Sequence, residues 1–130
     1  METPDTLTIQ QAAAELGLSG HTLRYYERIG LIHPIGRAEN KHRRYSPQDI
    51  EWIEFLTKMK TTGMPIRELL RYAELQRQGD ETLPERLQIL ESHKRRVAAR
   101  LAEFQGNMDM VGKKIAYYRG ELEKMKNNRD

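Results

Sequence analysis

From Leu83 onward, apolar side chains recur at Leu87, Leu90, Val97, Leu101, Phe104, Met108, Val111, Ile115, Tyr118, Leu122 and Met125, with Lys94 the one polar member of the series. The steps alternate four and three residues, which is a heptad seam sustained for about six repeats. A seam of that length demands a long helix, roughly 60 Å at 1.5 Å per residue. The rest of the chain holds no comparable stripe to cover it, so the helix is expected to pair with a second copy of itself. Gly106, Gly112 and Gly120 lie off the seam, and each costs up to about 1 kcal/mol in helix propensity. A turn at Gly106-Asn107 that folds the helix back is the competing reading. The heptad phase crosses that point without a skip, which favours one continuous helix.

The segment before the seam is punctuated by helix start and stop signals. Thr8 with Gln11 reads as a capping box, and Ile9, Ala12, Ala13 and Leu16 follow at helical spacing until Gly17, so a first helix is expected over 9 to 16. Ser19 caps a second, whose inward face is Leu23 and Tyr26 and which stops at Gly30. Two short helices joined by a tight turn containing glycine form a helix-turn-helix candidate. Between Leu31 and Tyr45 the pattern suits a hairpin with its loop near Glu39 to Lys41. Ser46, Pro47 and Asp49 open a third helix that Gly63 ends, and a fourth runs from Pro65 to Gly79-Asp80. Thr82 with Glu85 reads as one more capping box, at the head of the seam. The fold expected is mainly α, with one domain over 1–78 and a coiled-coil helix over 79–130.

Composition removes several function classes. With no cysteine in 130 residues, disulfides, thiolate metal sites and thiol redox chemistry are out. His21, His33, His42 and His93 are scattered without the i, i+3 or i, i+4 spacing of a helical metal site. No metal or other cofactor is expected. The amino terminus lacks the order of a signal peptide, and no apolar run approaches the roughly 20 residues of a membrane span. A cytoplasmic protein without membrane contact is expected. No nucleophile–base pair or carboxylate pair stands out locally, so an enzyme is not expected.

The formal net charge of +3 does not itself argue for nucleic acid, since acids and bases balance through residue 50. Position carries more. Arg37, Lys41, His42, Arg43 and Arg44 crowd one short segment directly after the helix pair. A charged loop is usually a solvated one, and a helical hairpin with both tyrosines in its core is the plain reading of the preceding stretch. A recognition helix in the major groove with a basic wing on the adjacent backbone explains both features together. Arg24 then reaches guanine or phosphate, His21 shares its exposed side, and Tyr25 is the outward ring because Tyr26 turns inward with Leu23. A purely structural coiled-coil protein is the rival, and it leaves the basic hairpin unexplained.

LTIQQAAAELGLSGHTLRYYERIGLI, followed by RAENKHRRYSPQDIEWIEFLTKMKTTGMPIRELL, resembles the amino-terminal domain of the MerR family of bacterial transcription regulators, over about residues 7 to 75. The resemblance implies a winged helix-turn-helix domain, an antiparallel coiled-coil homodimer, and binding to a palindromic promoter operator. It implies regulation by distortion of double-stranded promoter DNA, through which RNA polymerase is affected indirectly. Carried over by position, His21, Thr22 and Arg24 match recognition-helix contacts, Tyr25 a phosphate contact, and Arg37, His42 and Arg43 wing contacts. Lys41 stands where the family often has glycine.

The chain is expected to lack the separate ligand domain of the multidrug-sensing members, and it lacks the cysteines of the metal sensors. Its layout is most similar to the short branch that senses aldehydes or other electrophiles through a cysteine on the third helix. Lys58 occupies that place. A buried lysine of lowered pKa forms Schiff bases with carbonyl compounds, whereas an exposed helix lysine is the plainer reading. A constitutive DNA-binding protein without an effector is a further alternative. An effector pocket is expected near Trp52, Phe55, Met59, Met64 and Tyr72, although plain core is the plainer reading of most of them.

Overall fold

A computed structural model describes residues 5–129. The expectation about the amino-terminal order falls in part on residues 1–4, outside the described residues. Helices α1 (Ile9–Leu16), α2 (Gly20–Arg28), α3 (Pro47–Thr61), α4 (Ile66–Arg77) and α5 (Leu83–Asn127) follow one another, with a 3-10 turn at Asp80–Thr82 before α5. The chain divides between Leu90 and Glu91 into two compact units.

In the first unit the local signals act as their chemistry requires. The Thr8 amide donates to Gln11 Oε1 at 2.9 Å, and the Gln11 amide donates back to Thr8 Oγ at 3.1 Å. Two otherwise orphaned donors at the head of α1 are thereby satisfied. Gly17 ends α1 with φ +70°, where a Cβ would be strained. Ser19 accepts the Thr22 amide at 3.0 Å and opens α2. At the head of α3, Asp49 is buried yet fully engaged. Its Oδ2 accepts the Ser46 amide and its Oδ1 meets His33 Nε2, each at 2.8 Å, which offsets the cost of burying a carboxylate.

One shared core joins these helices. Ala12 of α1, Leu23 and Tyr26 of α2, Ile53 and Leu56 of α3, and Leu69 and Ala73 of α4 meet Leu31, Ile32, Ile35 and Tyr45 from the connecting segment. Leu7 and Tyr45 exchange both backbone hydrogen bonds at 2.8 Å, so the segment before α1 is stapled to the far end of the wing. Ile89 also packs on this core, and the first turns of α5 therefore belong to the first unit.

Thr82 departs from the expected capping box. Its hydroxyl donates to the carbonyl oxygens of Leu75 and Gly79 and accepts from Arg86 Nε at 3.0 Å. Buried at the junction of α4 and α5, it satisfies carbonyls at the end of the preceding helix, and that tertiary demand overrides the local motif.

The second unit consists of the remainder of α5. The helix is 45 residues long, about 67 Å at 1.5 Å per residue. It is continuous through Gly106, Gly112 and Gly120, so the turn considered at Gly106-Asn107 does not form. Leu101, Phe104, Met108, Val111, Ile115, Tyr118, Leu122 and Met125 are all exposed in the single chain, Phe104 at 69%. Among the described residues, no helix is long and apolar enough to cross a membrane.

Candidate nucleic-acid interface

The tight turn at Gly17–Ser19 sets α2 against α1 and divides its side chains into two faces. Leu23 and Tyr26 are buried, whereas His21, Arg24 and Tyr25 are exposed. Neighbouring residues on a helix point about 100° apart, so of the adjacent tyrosines one had to turn out. Tyr25 is that ring, 43% exposed, with the Arg28 guanidinium 5.6 Å above it. Tyr26 accepts a hydrogen bond from Lys60 Nζ at 2.9 Å and is thereby tied to α3. The Thr22 hydroxyl is half-buried and accepts from Ser19 Oγ at 2.9 Å, which leaves its own proton and a second lone pair to offer outward.

Residues 36–44 form a hairpin held by backbone bonds from Ala38 N to His42 O at 2.9 Å and from Arg44 N to Gly36 O at 2.8 Å. Arg37 and Arg43 face each other across it as an antiparallel bridge. At the tip, the Lys41 amide closes a turn onto Ala38 O at 2.9 Å, and Asn40 Oδ1 accepts the His42 amide at 3.0 Å. Lys41 adopts φ +67°, the one positive φ among the described non-glycine residues. A three-residue loop of this kind requires a left-handed residue before the returning arm. Lysine thus fills a glycine-type position and retains the strain.

The arginines of the wing are engaged in different ways. Arg37 donates to the Lys41 carbonyl at 3.0 Å and braces the tip. Arg44 donates to Thr6 Oγ and to the Thr6 carbonyl, at 3.2 and 3.1 Å. Arg43 turns back to α2, its Nε donating to Glu27 Oε1 at 2.8 Å with both side chains largely buried. The role carried over for Arg43, a wing contact, thus falls on a side chain whose Nε is held by Glu27. Tyr45 lies fully buried beside it, its hydroxyl without a hydrogen-bond partner among the described residues. Burial pushes the Tyr45 phenol above its ordinary value, partly opposed by the Arg43 charge.

Between the start of α1, Arg24 and the wing lies a cleft of about 400 Å³, lined from the wing by Arg37, Asn40, Lys41, His42, Arg43 and Arg44 and from the helices by Thr8, Ile9, Gln10 and Arg24. Polar side chains and cations dominate its rim, the chemistry that suits a polyanion.

The residues weighed for an effector separate. Trp52, Phe55 and Tyr72 form one aromatic cluster with ring centroids 5.5 to 6.0 Å apart. They line an open cleft of about 370 Å³ with Gln48, Glu51 and Gln76. Met64 belongs instead to the core, and Met59 is half-buried against it. Lys58 does not line that cleft. Its side chain is 71% exposed and pairs with Glu54 one turn back at 3.4 Å, so the burial that would activate an amine is not present in the single chain. Sequence reasoning passed over Glu27 and Asn40. Glu27 had no local signal, since its partner lies 16 residues on; Asn40, just before a left-handed position in a tight loop, carried one.

A short exposed helix set on α1 by a tight turn, with a cationic wing beside it, is a winged helix-turn-helix, the architecture of a DNA-binding regulator. Residues 7–76 match the MerR HTH family of regulatory proteins. An HTH-type transcriptional regulator of Haemophilus influenzae is 36% identical over 113 residues, 87% of this chain and 84% of its own length. The HTH-type transcriptional regulator AdhR of Bacillus subtilis is 42% identical over 70% of this chain and 65% of its own. Among solved structures, HiNmlR, a MerR family regulator lacking the sensor domain and bound to promoter DNA, superposes with a TM-score of 0.80 at 36% identity, over 88% of this chain and 90% of that one. A MerR family transcriptional regulator from Listeria monocytogenes gives 0.83 at 34% identity, over 95% and 99%. The chain belongs to the MerR family of transcription regulators.

Proposed function

We propose that the protein binds a palindromic promoter operator as a homodimer and alters transcription by distorting the promoter DNA. It acts in the cytoplasm and catalyses no reaction. The observation that carries this reading is the joining of two incomplete surfaces in one chain. A cationic helix-and-wing face lies open to solvent, and a 45-residue helix carries an uncovered heptad seam. Residues 1–78 form the DNA-binding part and 79–130 the dimerisation helix, paired antiparallel with its copy. His21, Thr22, Arg24 and Tyr25 on α2 face the groove and its edge, and Arg37 and His42 on the wing face the adjacent backbone, with Arg43 set back on Glu27. Support comes also from HiNmlR, which was solved on promoter DNA.

The test is a selection of palindromic duplexes followed by mobility shift. Arg24→Ala should weaken binding by about 1 to 3 kcal/mol and relax sequence preference, whereas Arg37→Ala should weaken all sequences alike. If the wild-type protein retards no duplex over random DNA, the reading fails. An effector, where one acts, would enter the aromatic cleft at Trp52, Phe55 and Tyr72 by reversible binding. The exposure of Lys58 argues against a Schiff base there. Borohydride trapping with a small aldehyde should leave Lys58 unlabelled.

A further inference from the structure

An acid is out of place on a face that is to meet phosphates, and Glu27 stands on the last turn of α2 among Arg24, Arg28 and Arg43. A carboxylate there opposes DNA electrostatically unless it does something else. Its geometry says what. Glu27 and Arg43 have side chains only 15% and 20% exposed, and the Nε–Oε1 distance of 2.8 Å is that of a charge-assisted hydrogen bond. The alternation of an extended arm points to the same role. Residues two apart share a side, which places Arg43 with the fully buried Tyr45 on the inner side of the wing and the exposed His42 on the other.

Fixing Arg43 fixes the rest of the hairpin. Arg43 bridges Arg37, whose guanidinium holds the Lys41 carbonyl, and the flanking bonds at Ala38 and Arg44 close the ladder. We infer that Glu27 is a positioning residue for DNA recognition: it clamps Arg43 so that the recognition helix and the wing meet DNA as one rigid body, and Arg43 itself touches no phosphate. The inference rests on the DNA-binding reading above, and it separates two variants that a simple charge argument would order the other way round.

The experiment measures operator affinity across a salt series for wild type, Glu27→Gln, Arg43→Ala, the double variant, and the charge-exchanged pair Glu27→Arg with Arg43→Glu. The expected result is that Glu27→Gln weakens binding about tenfold although it removes a negative charge, that the double variant is no weaker than either single one, and that the exchanged pair recovers most of the loss. Arg43→Ala should leave the salt slope at the wild-type value, whereas Arg37→Ala lowers it by about 0.9, as expected when one phosphate is no longer neutralised by the protein. Unchanged or tighter binding by Glu27→Gln, or a slope lowered by about 0.9 in Arg43→Ala, overturns the inference. Hydrogen exchange on the full-length protein without DNA gives a second readout. The Ala38, Lys41 and Arg44 amides should exchange about tenfold faster in Glu27→Gln at an unchanged melting temperature, and unchanged exchange equally overturns the strut. Wild-type binding tests the DNA reading by itself, so the two failures are distinguishable.

Discussion

Trp52 donates its indole N–H to the carbonyl oxygen of Leu31 at 3.1 Å, which pins α3 to the chain just beyond the recognition helix. The same ring stacks on Tyr72 of α4, 6.0 Å away. One side chain therefore joins the open aromatic cleft to the segment that carries α2 into the wing. Trp52→Phe keeps an aromatic ring but deprives a nearly buried carbonyl of its donor. An unsatisfied buried acceptor costs about 1 to 3 kcal/mol, so urea denaturation should show a loss of that size. Wild-type stability in the variant would mean that the bond contributes nothing net.

At the wing tip, Lys41 holds φ +67° without being glycine. A side chain in the left-handed region costs roughly 1 to 2 kcal/mol. Lys41→Gly should therefore be more stable than Lys41→Ala by about 1 kcal/mol, since both lose the charge and only one loses the Cβ. The comparison of the two variants isolates the backbone effect, and equal midpoints would sink it.

In the second unit the seam predicts the assembly. Phe104 sits near the middle of the apolar series and is 69% exposed in the single chain. Burying such a side chain is worth roughly 1.5 to 3 kcal/mol, and a dimer contains it twice. Phe104→Glu should accordingly weaken dimerisation by about 100-fold or more. Sedimentation at micromolar concentration should then find monomer, where wild type is dimeric. A wild-type monomer would remove the seam as an interface.

The parts legible in the sequence were those written locally. The boxes at Thr8–Gln11 and Ser46–Asp49, the stop at Gly17 and the heptad steps each depend on residues within one or two turns, and each formed. The outward ring at Tyr25 followed from the helical period alone. What was not legible depended on contacts made at a distance. Thr82 looked like a cap, yet its hydroxyl is drawn to the carbonyl oxygens of Leu75 and Gly79. Arg43 was legible as a wing cation, but its pairing was not, since only folding brings Glu27 to it. Of the residues grouped for an effector, three converge on one cleft, while Met64 turns inward. An apolar side chain carries no mark of which cavity it will line.

Tyr45 gives the last prediction, because burial and titration pull on one atom. Its hydroxyl is buried without a hydrogen-bond partner among the described residues, and such a group destabilises by roughly 1 kcal/mol or more. Tyr45→Phe should therefore be about 1 kcal/mol more stable than wild type at neutral pH. Burial also holds the phenol's pKa above its ordinary value of 10.0 in the folded chain, as it does for Tyr72. A raised folded pKa means that the native state keeps a proton the unfolded chain gives up. The associated stability is fully present below about pH 10 and is lost as the pH rises through the folded value. Wild type should thus lose stability steeply in that alkaline range, and Tyr45→Phe should lose less, the remainder coming from Tyr72. Urea midpoints measured at neutral pH and at points above pH 10 decide the matter. Parallel alkaline losses in the two proteins would show that the Tyr45 phenol does not drive them.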